Sequence, residues 1–365
     1  MSNQYPDFDS INLVDYELVD GYYTLGFLKK HRPDCFFITS NEWNSQKDHR
    51  LLDQLIQHGL SKGLIVCVVQ WDEDIINPGH LKLTEVLNKY KDEPVWLVTQ
   101  LNKYDQKIYT YQHQLQCKIV EIPWYFLNEC LTYYAVADRS ISQEPTSNKF
   151  LTMLGRYDSR YDRHKVDLAY ALRPYEKFGT ITISRNGKYP ADLLEFCQLN
   201  PVPPYTNIRT RWKPMAAQVK IGKTWISSNV ENFLHIQKTY ADIPLMIHPE
   251  TTTGIFQITE KSLWPLLLGK LMLVYGKQGL MEDIQRFYDV EFSLYADLSF
   301  DQYNNKWSNE GHQERLQLLI ERNQDLIRDC RDVYKKLQPK LELARWTLGR
   351  NIYQYFIQQL EQIKM

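Results

Sequence analysis

Short apolar runs that alternate with amphipathic stretches constrain the fold of this chain more than any other feature. In the first part of the sequence these runs are DCFFITS, LIVCVVQ, PVWLVTQ and CKIVEIPWYF, and HRLLDQLIQHGLSKG and HLKLTEVLNKY lie between them with helical spacing. Apolar runs of roughly 4 to 8 residues are typical of buried strands, and intervening helices are typical of a parallel sheet covered on both faces. The alternation therefore predicts an α/β fold.

The same alternation restarts after a polar segment, DRSISQEPTSNK (138–149), which contains Pro145 and has no periodicity. Strand-like runs FLTMLG, TITIS, PLMIHP and KLMLVYG then alternate with helix-like stretches, and two long amphipathic helices are expected after them. We predict two Rossmann-like domains, at residues 1–145 and 146–310, and a helical tail at 311–365 whose last helix packs back on the first domain. In such an architecture a ligand cleft lies between the domains, at the C-terminal ends of the strands.

Charge and cysteine usage exclude several classes of protein. The formal net charge is −1, so no global field draws the chain to nucleic acid or to an anionic membrane. The six cysteines are scattered without a CxxC pair, which indicates reduced thiols and a cytoplasmic compartment. The start, MSNQYPDFDS, has no features of a secretory signal, and the best apolar stretch, LWPLLLGKLMLVYG, is too short to span a bilayer.

A group of polar residues at the mouth of the LWPLLLG helix is the strongest site candidate. Glu250 follows the run PLMIHP, and Thr259, Glu260 and Lys261 open the helix. Thr259 is expected to be the N-cap, and the first N–H groups of a helix bind anions well. Lys261 adds a positive charge for a phosphate, while Glu250 and Glu260 can accept hydrogen bonds from sugar hydroxyls. An ordinary helix start with acids in its first turn is the alternative.

The stretch ETTTGIFQITEK resembles the signature of the α1,3/4-fucosyltransferases, in which Glu-Asn precedes a turn and then Val/Ile-Thr-Glu-Lys. In that family the signature is followed by a helix, an apolar strand and a glycine turn. Here LLLGKLMLVYGKQG follows in the same way. The block is also similar to one in phage and bacterial glycosyltransferases. The resemblance implies the GT-B fold, with two Rossmann-like domains and a nucleotide sugar held mainly by the C-terminal one.

By this resemblance, Lys261 contacts the donor diphosphate, and Glu250 and Glu260 contact the ribose or the sugar. The chain departs from the family pattern at Thr251, where asparagine is usual. It also lacks the aromatic residues of the intervening turn, whose places are taken by Ile255, Phe256 and Gln257. The match is close over about 30 residues and loose over the rest of the second domain.

A basic loop follows the run FLTMLG and precedes a predicted helix. Related enzymes carry a basic residue at the start of this helix that reaches the donor phosphates, and Arg156, Arg163 and Lys165 are the candidates here. The planar guanidinium of arginine suits a diphosphate better than an ammonium does. A solvated basic loop is the alternative.

Basic and aromatic residues also alternate in NIRTRWKPMAAQVKIGKTW (207–225). Arg209, Arg211 and Trp212 could bind an acceptor by phosphate contacts and by stacking, although a surface loop of mixed function is also consistent with the pattern. AQVKIGKT within it resembles a P-loop but has Ala217 at the first glycine position and no buried strand before it, so an NTPase is not expected.

The catalytic base should be a carboxylate or histidine of the first domain, within reach of the acceptor hydroxyl. Glu42 in TSNEW and Asp72 in VVQWDED both follow predicted strands and are the candidates. Asp72 begins an acidic cluster that could chelate a divalent cation, but a solvated loop is preferred because the phosphate candidates lie in the other domain. No metal site is therefore predicted.

These features predict an inverting glycosyltransferase that moves a sugar from a nucleoside-diphosphate donor to an acceptor hydroxyl, with no cofactor beyond that co-substrate. A glycan is the default acceptor. One alternative is a phage enzyme that glycosylates a hydroxymethylated base in DNA, because 25 tyrosines against 15 glycines resemble phage composition. Another is a non-catalytic protein that binds nucleotide sugars or glycans.

Overall fold

The computed structural model divides the chain into two compact units. The first unit comprises Met1–Asn128 with Ile352–Met365, and the second comprises Glu129–Asn351. The residues that the structure describes are 5–11, 15–16, 23–39, 49–70, 80–100, 106–107, 110–111, 114–123, 127, 130, 133, 144–155, 163–183, 189–199, 218–221, 224–227, 237–250, 258–302 and 309–365.

The first unit is built on a four-stranded parallel sheet with the strand order β1-β2-β3-β4. Its strands are β1 (Cys35–Thr39), β2 (Ile65–Gln70), β3 (Val95–Thr99) and β4 (Lys118–Glu121). Its described helices before the C-terminal segment are α1 (Tyr23–His31), α2 (His49–Ser61) and α3 (His80–Asn88). Every residue of β2 is buried, as expected for an inner strand of a sheet covered on both faces.

Arg32 holds the C-terminal segment in the first unit. Its side chain donates to the main-chain oxygens of Leu360 and Ile363 at 2.7 and 3.0 Å. The guanidinium also makes two 2.8 Å hydrogen bonds to the carboxylate of Asp34, and these bonds lower the pKa of Asp34. Because Arg32 is only 5% exposed, its bonds to the chain end are shielded from water.

The second unit is built on a five-stranded parallel sheet with the order β11-β10-β5-β6-β7 and on a separate antiparallel hairpin, β8-β9. The strands are β5 (Phe150–Leu154), β6 (Gly179–Ile183), β7 (Gln198–Leu199), β8 (Gln218–Ile221), β9 (Thr224–Ser227), β10 (Leu245–Pro249) and β11 (Leu271–Tyr275). Chain order proceeds from β5 towards β6 and β7 on one side, and then resumes with β10 on the other. The sheet therefore has a topological switch point between β5 and β10.

Helices cover this sheet and lead into the end of the chain. They are α4 (Arg163–Leu172), α5 (Glu260–Leu267), α6 (Leu280–Gln285), α7 (Asn309–Arg322), α8 (Gln324–Arg328) and α9 (Cys330–Leu360). Residues 330–351 of α9 belong to the second unit and its remaining residues to the first. Two parallel α/β units and a long C-terminal helix confirm the predicted fold class and are consistent with a two-domain GT-B fold. The predicted domain limits stay a prediction.

The helical tail breaks at other residues than the sequence predicts. The sequence pattern favours two long helices separated near Pro339, but α9 continues through Pro339. The breaks lie at Asn323 and Asp329 instead. The buried Asn323 side chain donates to the main-chain oxygens of Leu319 and Asp297, so it satisfies the end of α7 and ties it to the preceding loop.

All six cysteines are buried and none forms a disulfide. They therefore behave as small apolar residues of the cores, as predicted from the apolar runs around them. Among the helices of the described ranges, none combines the length and the apolar character needed to cross a membrane.

Candidate functional site

The ends of β5 and β10 meet at the switch point of the second unit. Gly155 follows β5, and Glu250 follows β10. In open α/β sheets, ligands bind in the crevice outside the carboxyl ends of the strands at such a point. This position makes the surrounding residues, which we call the switch-point site, the candidate functional site.

Glu250 is fully buried, and its carboxylate holds the start of α5. Oε1 accepts from the main-chain N–H of Thr259 at 3.1 Å, and Oε2 accepts from the Thr259 hydroxyl at 2.7 Å. The hydroxyl of Ser262 also donates to Oε1. The two carboxylate oxygens thus already accept three hydrogen bonds from the protein. The predicted contact of Glu250 with a ribose or sugar stays a prediction.

Thr259 caps α5 as the sequence predicts. Its backbone is extended, and its side-chain oxygen accepts from the main-chain N–H of Lys261 at 3.3 Å. A Cβ atom placed on Gly155 would lie 3.4 Å from Cε of Lys261. The half-buried Lys261 side chain therefore extends from α5 towards the end of β5, across the switch point.

The start of α4 also belongs to this site, through His164. Nε2 of His164 lies 2.8 Å from the main-chain oxygen of Glu250, and both residues are buried. Because a carbonyl oxygen only accepts, the histidine ring donates through Nε2. The bond fixes the first turn of α4 beside the end of β10, where the positive end of the helix dipole favours an anion.

The two described basic candidates on α4 differ in their surroundings. The Arg163 side chain is 79% exposed, and its Nε lies 3.7 Å from a carboxylate oxygen of Asp167. Lys165 is only 3% exposed. Their predicted contacts with a donor phosphate stay predictions.

Sequence reasoning missed two residues of the switch-point site, His164 and Tyr189. The Tyr189 hydroxyl donates to the main-chain oxygen of Leu154 at 3.2 Å and to that of Gly155, so it covers the end of β5. His164 lies inside the basic loop-to-helix segment that the sequence singled out, but its bond to Glu250 joins residues 86 positions apart. In parallel sheets, polar residues that follow the strands meet at one edge of the sheet. That rule was the one signal by which the sequence could have assigned His164 and Tyr189 to this site.

A glycine allows the third strand end to approach this site. A Cβ atom on Gly276, which follows β11, would lie 2.4 Å from a methyl group of Leu280 and 3.2 Å from Cβ of Glu250. The main-chain N–H of Glu250 donates to the oxygen of Tyr275 at 2.9 Å. Lys277 comes next, and burial lowers its pKa to about 8. Lys277 thus follows the end of β11, the strand beside β10.

Several predicted site residues lie outside the described residues. They are Glu42, Asp72, Arg156, Arg209, Arg211 and Trp212. Glu260 begins α5, but its side chain is not described. Within the described ranges, no three His, Cys, Asp or Glu residues are grouped so that they could hold a metal ion.

No known family model matches the sequence, and no curated protein matches it. Solved glycosyltransferase structures are similar in fold. They include the pneumococcal O-GlcNAc transferase GtfA in complex with UDP and GlcNAc, with 12% identity, a TM-score of 0.41, and coverage of 86% of this chain and 54% of that one. A point mutant of S. aureus TarM with UDP bound has 10% identity, a TM-score of 0.37, and coverages of 78% and 51%.

Medicago truncatula UGT71G1 complexed with UDP-glucose has 11% identity and a TM-score of 0.36, with 93% of this chain and 81% of that chain covered. The present chain thus spans about half the length of GtfA and of TarM. At TM-scores below 0.5, these similarities carry no argument about activity.

Proposed function

We propose that this protein is a glycosyltransferase that moves a sugar from a nucleoside-diphosphate donor to an acceptor hydroxyl. The observation that carries the proposal is the convergence of Lys261 with the starts of α4 and α5 at the switch point. A lysine and two helix N-termini provide positive charge for a diphosphate without a metal ion. The resemblance of residues 250–261 to fucosyltransferases supports the same donor class.

The diphosphate is the leaving group of this reaction, so negative charge develops on it as the bond to the sugar breaks. In the proposed mechanism, the Lys261 ammonium and the N–H groups at the helix starts stabilise that charge. Because the cap and the His164 bond hold these groups in place, they need no reorganisation during the reaction. Glu250 acts through Thr259 and Ser262 by keeping the start of α5 in position.

The acceptor hydroxyl must lose a proton during the transfer. We propose that a first-domain carboxylate, Glu42 or Asp72, accepts it, and that attack from the opposite side inverts the anomeric centre. A glycan is the proposed acceptor. The alternative of a hydroxymethylated DNA base rests on Arg209, Arg211 and Trp212 and stays a prediction.

Nucleotide binding tests the proposal directly. We expect one nucleoside diphosphate among UDP, GDP and ADP to raise the melting temperature of the protein without added metal, and UDP is the first to test because the solved structures named above hold it. A ligand at 100 times its Kd stabilises the fold by about 2.7 kcal/mol. No shift with any nucleotide would contradict the proposal.

A matched pair of lysine variants locates the site. Lys261→Ala should weaken nucleotide binding by roughly 10-fold or more, since a hydrogen bond to a charged group contributes about 1.5–3 kcal/mol. Lys238→Ala, at an exposed position of the same unit, should leave it unchanged. Release of nucleoside diphosphate from its sugar conjugate then separates an enzyme from a protein that only binds.

A further inference from the structure

A cavity lies in the second unit, between α4 and α7. It has a volume of about 450 Å³, which falls within the range of small-molecule sites. None of Gly155, Glu250 and Lys261 lines it. It is therefore separate from the switch-point site, although α4 contributes residues to both.

The lining of this cavity combines apolar and aromatic surface with a few polar groups. Leu316, Ile320, Ala171 and Pro174 form its aliphatic part. Two tyrosines, Tyr170 and Tyr175, and two glutamines, Gln313 and Gln317, are added to these. Such a mixture is typical of sites that bind a ligand with both apolar faces and hydrogen-bonding groups.

The residues that line the cavity disfavour an anionic ligand. No lysine, arginine or histidine lines it, and its two charged lining residues are the acids Asp167 and Glu321. A phosphate would meet these carboxylates, and the lining offers it no cation to bind. This cavity is therefore no second nucleotide site.

The carboxylates are also poorly available for a cationic ligand. A carboxylate oxygen of Asp167 lies 3.7 Å from Nε of Arg163 and 3.6 Å from Nε2 of His312. Glu321 accepts a 2.7 Å hydrogen bond from Gln317. The Tyr170 hydroxyl donates its proton to Asp192 at 2.7 Å, so towards a ligand it can only accept. The remaining capacity of the site is for neutral donors and acceptors, because a glutamine amide and the Tyr175 hydroxyl serve as both.

We propose that the cavity between α4 and α7 binds a neutral saccharide. The flat apolar side of a pyranose ring fits tyrosine and aliphatic surface, and its hydroxyls fit Gln313, Gln317 and the free acceptor positions of the carboxylates. Binding here requires no nucleotide and no transfer step. The proposal therefore stands independently of the proposed glycosyltransferase activity.

Saturation-transfer NMR with the full chain tests this site, with maltotriose, lactose and N-acetylchitotriose as ligands. We expect at least one of them to bind. Ala171→Leu fills the cavity with a residue of similar helix propensity, and should weaken that binding at least about 10-fold. Glu314→Ala, an exposed position on α7 outside the lining, should not change it.

Three results would overturn the proposal. They are the absence of binding by all three saccharides, undiminished binding to Ala171→Leu, and displacement of the saccharide by UDP, which would place it in the switch-point site. Melting temperatures of both variants show whether the fold is intact. Gln317→Ala provides a second variant if Ala171→Leu unfolds, and it should also weaken binding.

Discussion

The imidazole of His164 donates a 2.8 Å hydrogen bond to the main-chain oxygen of Glu250. The two residues are 3% and 0% exposed, so water cannot replace this bond. It connects the first turn of α4 to the end of β10, on opposite sides of the switch point. His164 is thus a positioning residue of the proposed donor site, although it need not touch a ligand.

Replacing His164 should affect both stability and nucleotide affinity. His164→Leu removes this buried hydrogen bond and should lower the free energy of unfolding by about 1–3 kcal/mol. We expect a weaker Kd for the nucleotide as well, because the start of α4 loses its anchor. His164→Gln keeps a donor and should recover part of both losses. Calorimetry and denaturant unfolding measure the two effects, and an unchanged Kd in His164→Leu would contradict the positioning role.

Replacing Glu250 should show its part in holding α5. Glu250→Gln substitutes an amide group for an oxygen that accepts from Thr259 or Ser262, and we expect a loss of about 1.5–3 kcal/mol in urea unfolding. Glu314→Gln, on the exposed face of α7, is the control and should be neutral. If Glu250→Gln kept full stability but lost nucleotide binding, Glu250 would contact the nucleotide sugar and would not anchor α5.

Lys270 should make stability depend on pH above neutrality. It is fully buried, and its pKa is lowered from 10.5 to about 7, mainly by burial. Arg345 also lowers this pKa, whereas Asp242 and Glu342 raise it. Between these pH values the unfolded chain binds a proton that the folded chain does not. Stability should therefore rise from pH 7 towards about pH 10, by at most about 1.4 kcal/mol per unit for this group.

Lys270→Met should reduce this slope, as measured by urea unfolding at several pH values. Lys277, whose pKa is lowered to about 8, contributes with the same sign in both proteins, so the difference between them isolates Lys270. Below pH 7 Lys270 is charged in both states, and the slopes should coincide. Equal slopes above pH 7 would show that Lys270 does not titrate abnormally.

Removing the proline inside α9 should stabilise the second unit. Pro339 has no N–H to donate to the main-chain oxygen of Lys335, and a proline in a helix interior costs about 3 kcal/mol relative to alanine. Pro339→Ala should raise the free energy of unfolding by about 1–3 kcal/mol. Lys340→Ala, at the next and exposed position, should change little, and a destabilised Pro339→Ala would mean that the helix needs the proline.

Replacing Arg32 should release the C-terminal segment. The guanidinium of Arg32 donates to Asp34 and to the two carbonyl oxygens from three separate nitrogens, whereas the donors of an ammonium all lie on one nitrogen. Arg32→Lys should therefore lose at least one of these bonds and cost about 1–3 kcal/mol. Hydrogen exchange of residues 360–363 should become faster. Arg50→Lys, exposed on α2, is the control. Unchanged exchange in Arg32→Lys would show that the segment is held by apolar packing alone.

Local patterns predicted the strands and the cap because their causes are local. Buried runs such as Ile65–Gln70 and Leu271–Tyr275 contain the apolar residues that an inner strand needs, and Thr259 precedes its helix directly. The hairpin β8-β9 was missed because its strands have only four residues each and β8 lies within the P-loop-like sequence AQVKIGKT.

Features that depend on distant partners were not predictable. Pro339 indicates a helix end by its chemistry, but tertiary packing of α9 outweighs its cost. Asn323 ends α7 because its side chain is buried against the loop at Asp297, which no neighbouring residue reveals. The bond from His164 to Glu250 likewise joins two elements whose proximity follows only from the strand order.

The bonds of Arg32 have a consequence for the order in which the chain folds on the ribosome. The segment that completes the first unit, Ile352–Met365, is synthesised only after the roughly 220 residues of the second unit. At about 5–20 residues per second, this takes about 11–45 s. Throughout that interval Arg32 lacks its carbonyl acceptors at Leu360 and Ile363. The apolar surface that the end of α9 covers in the complete protein is also exposed. Exposed apolar surface of this kind is what chaperones bind during folding.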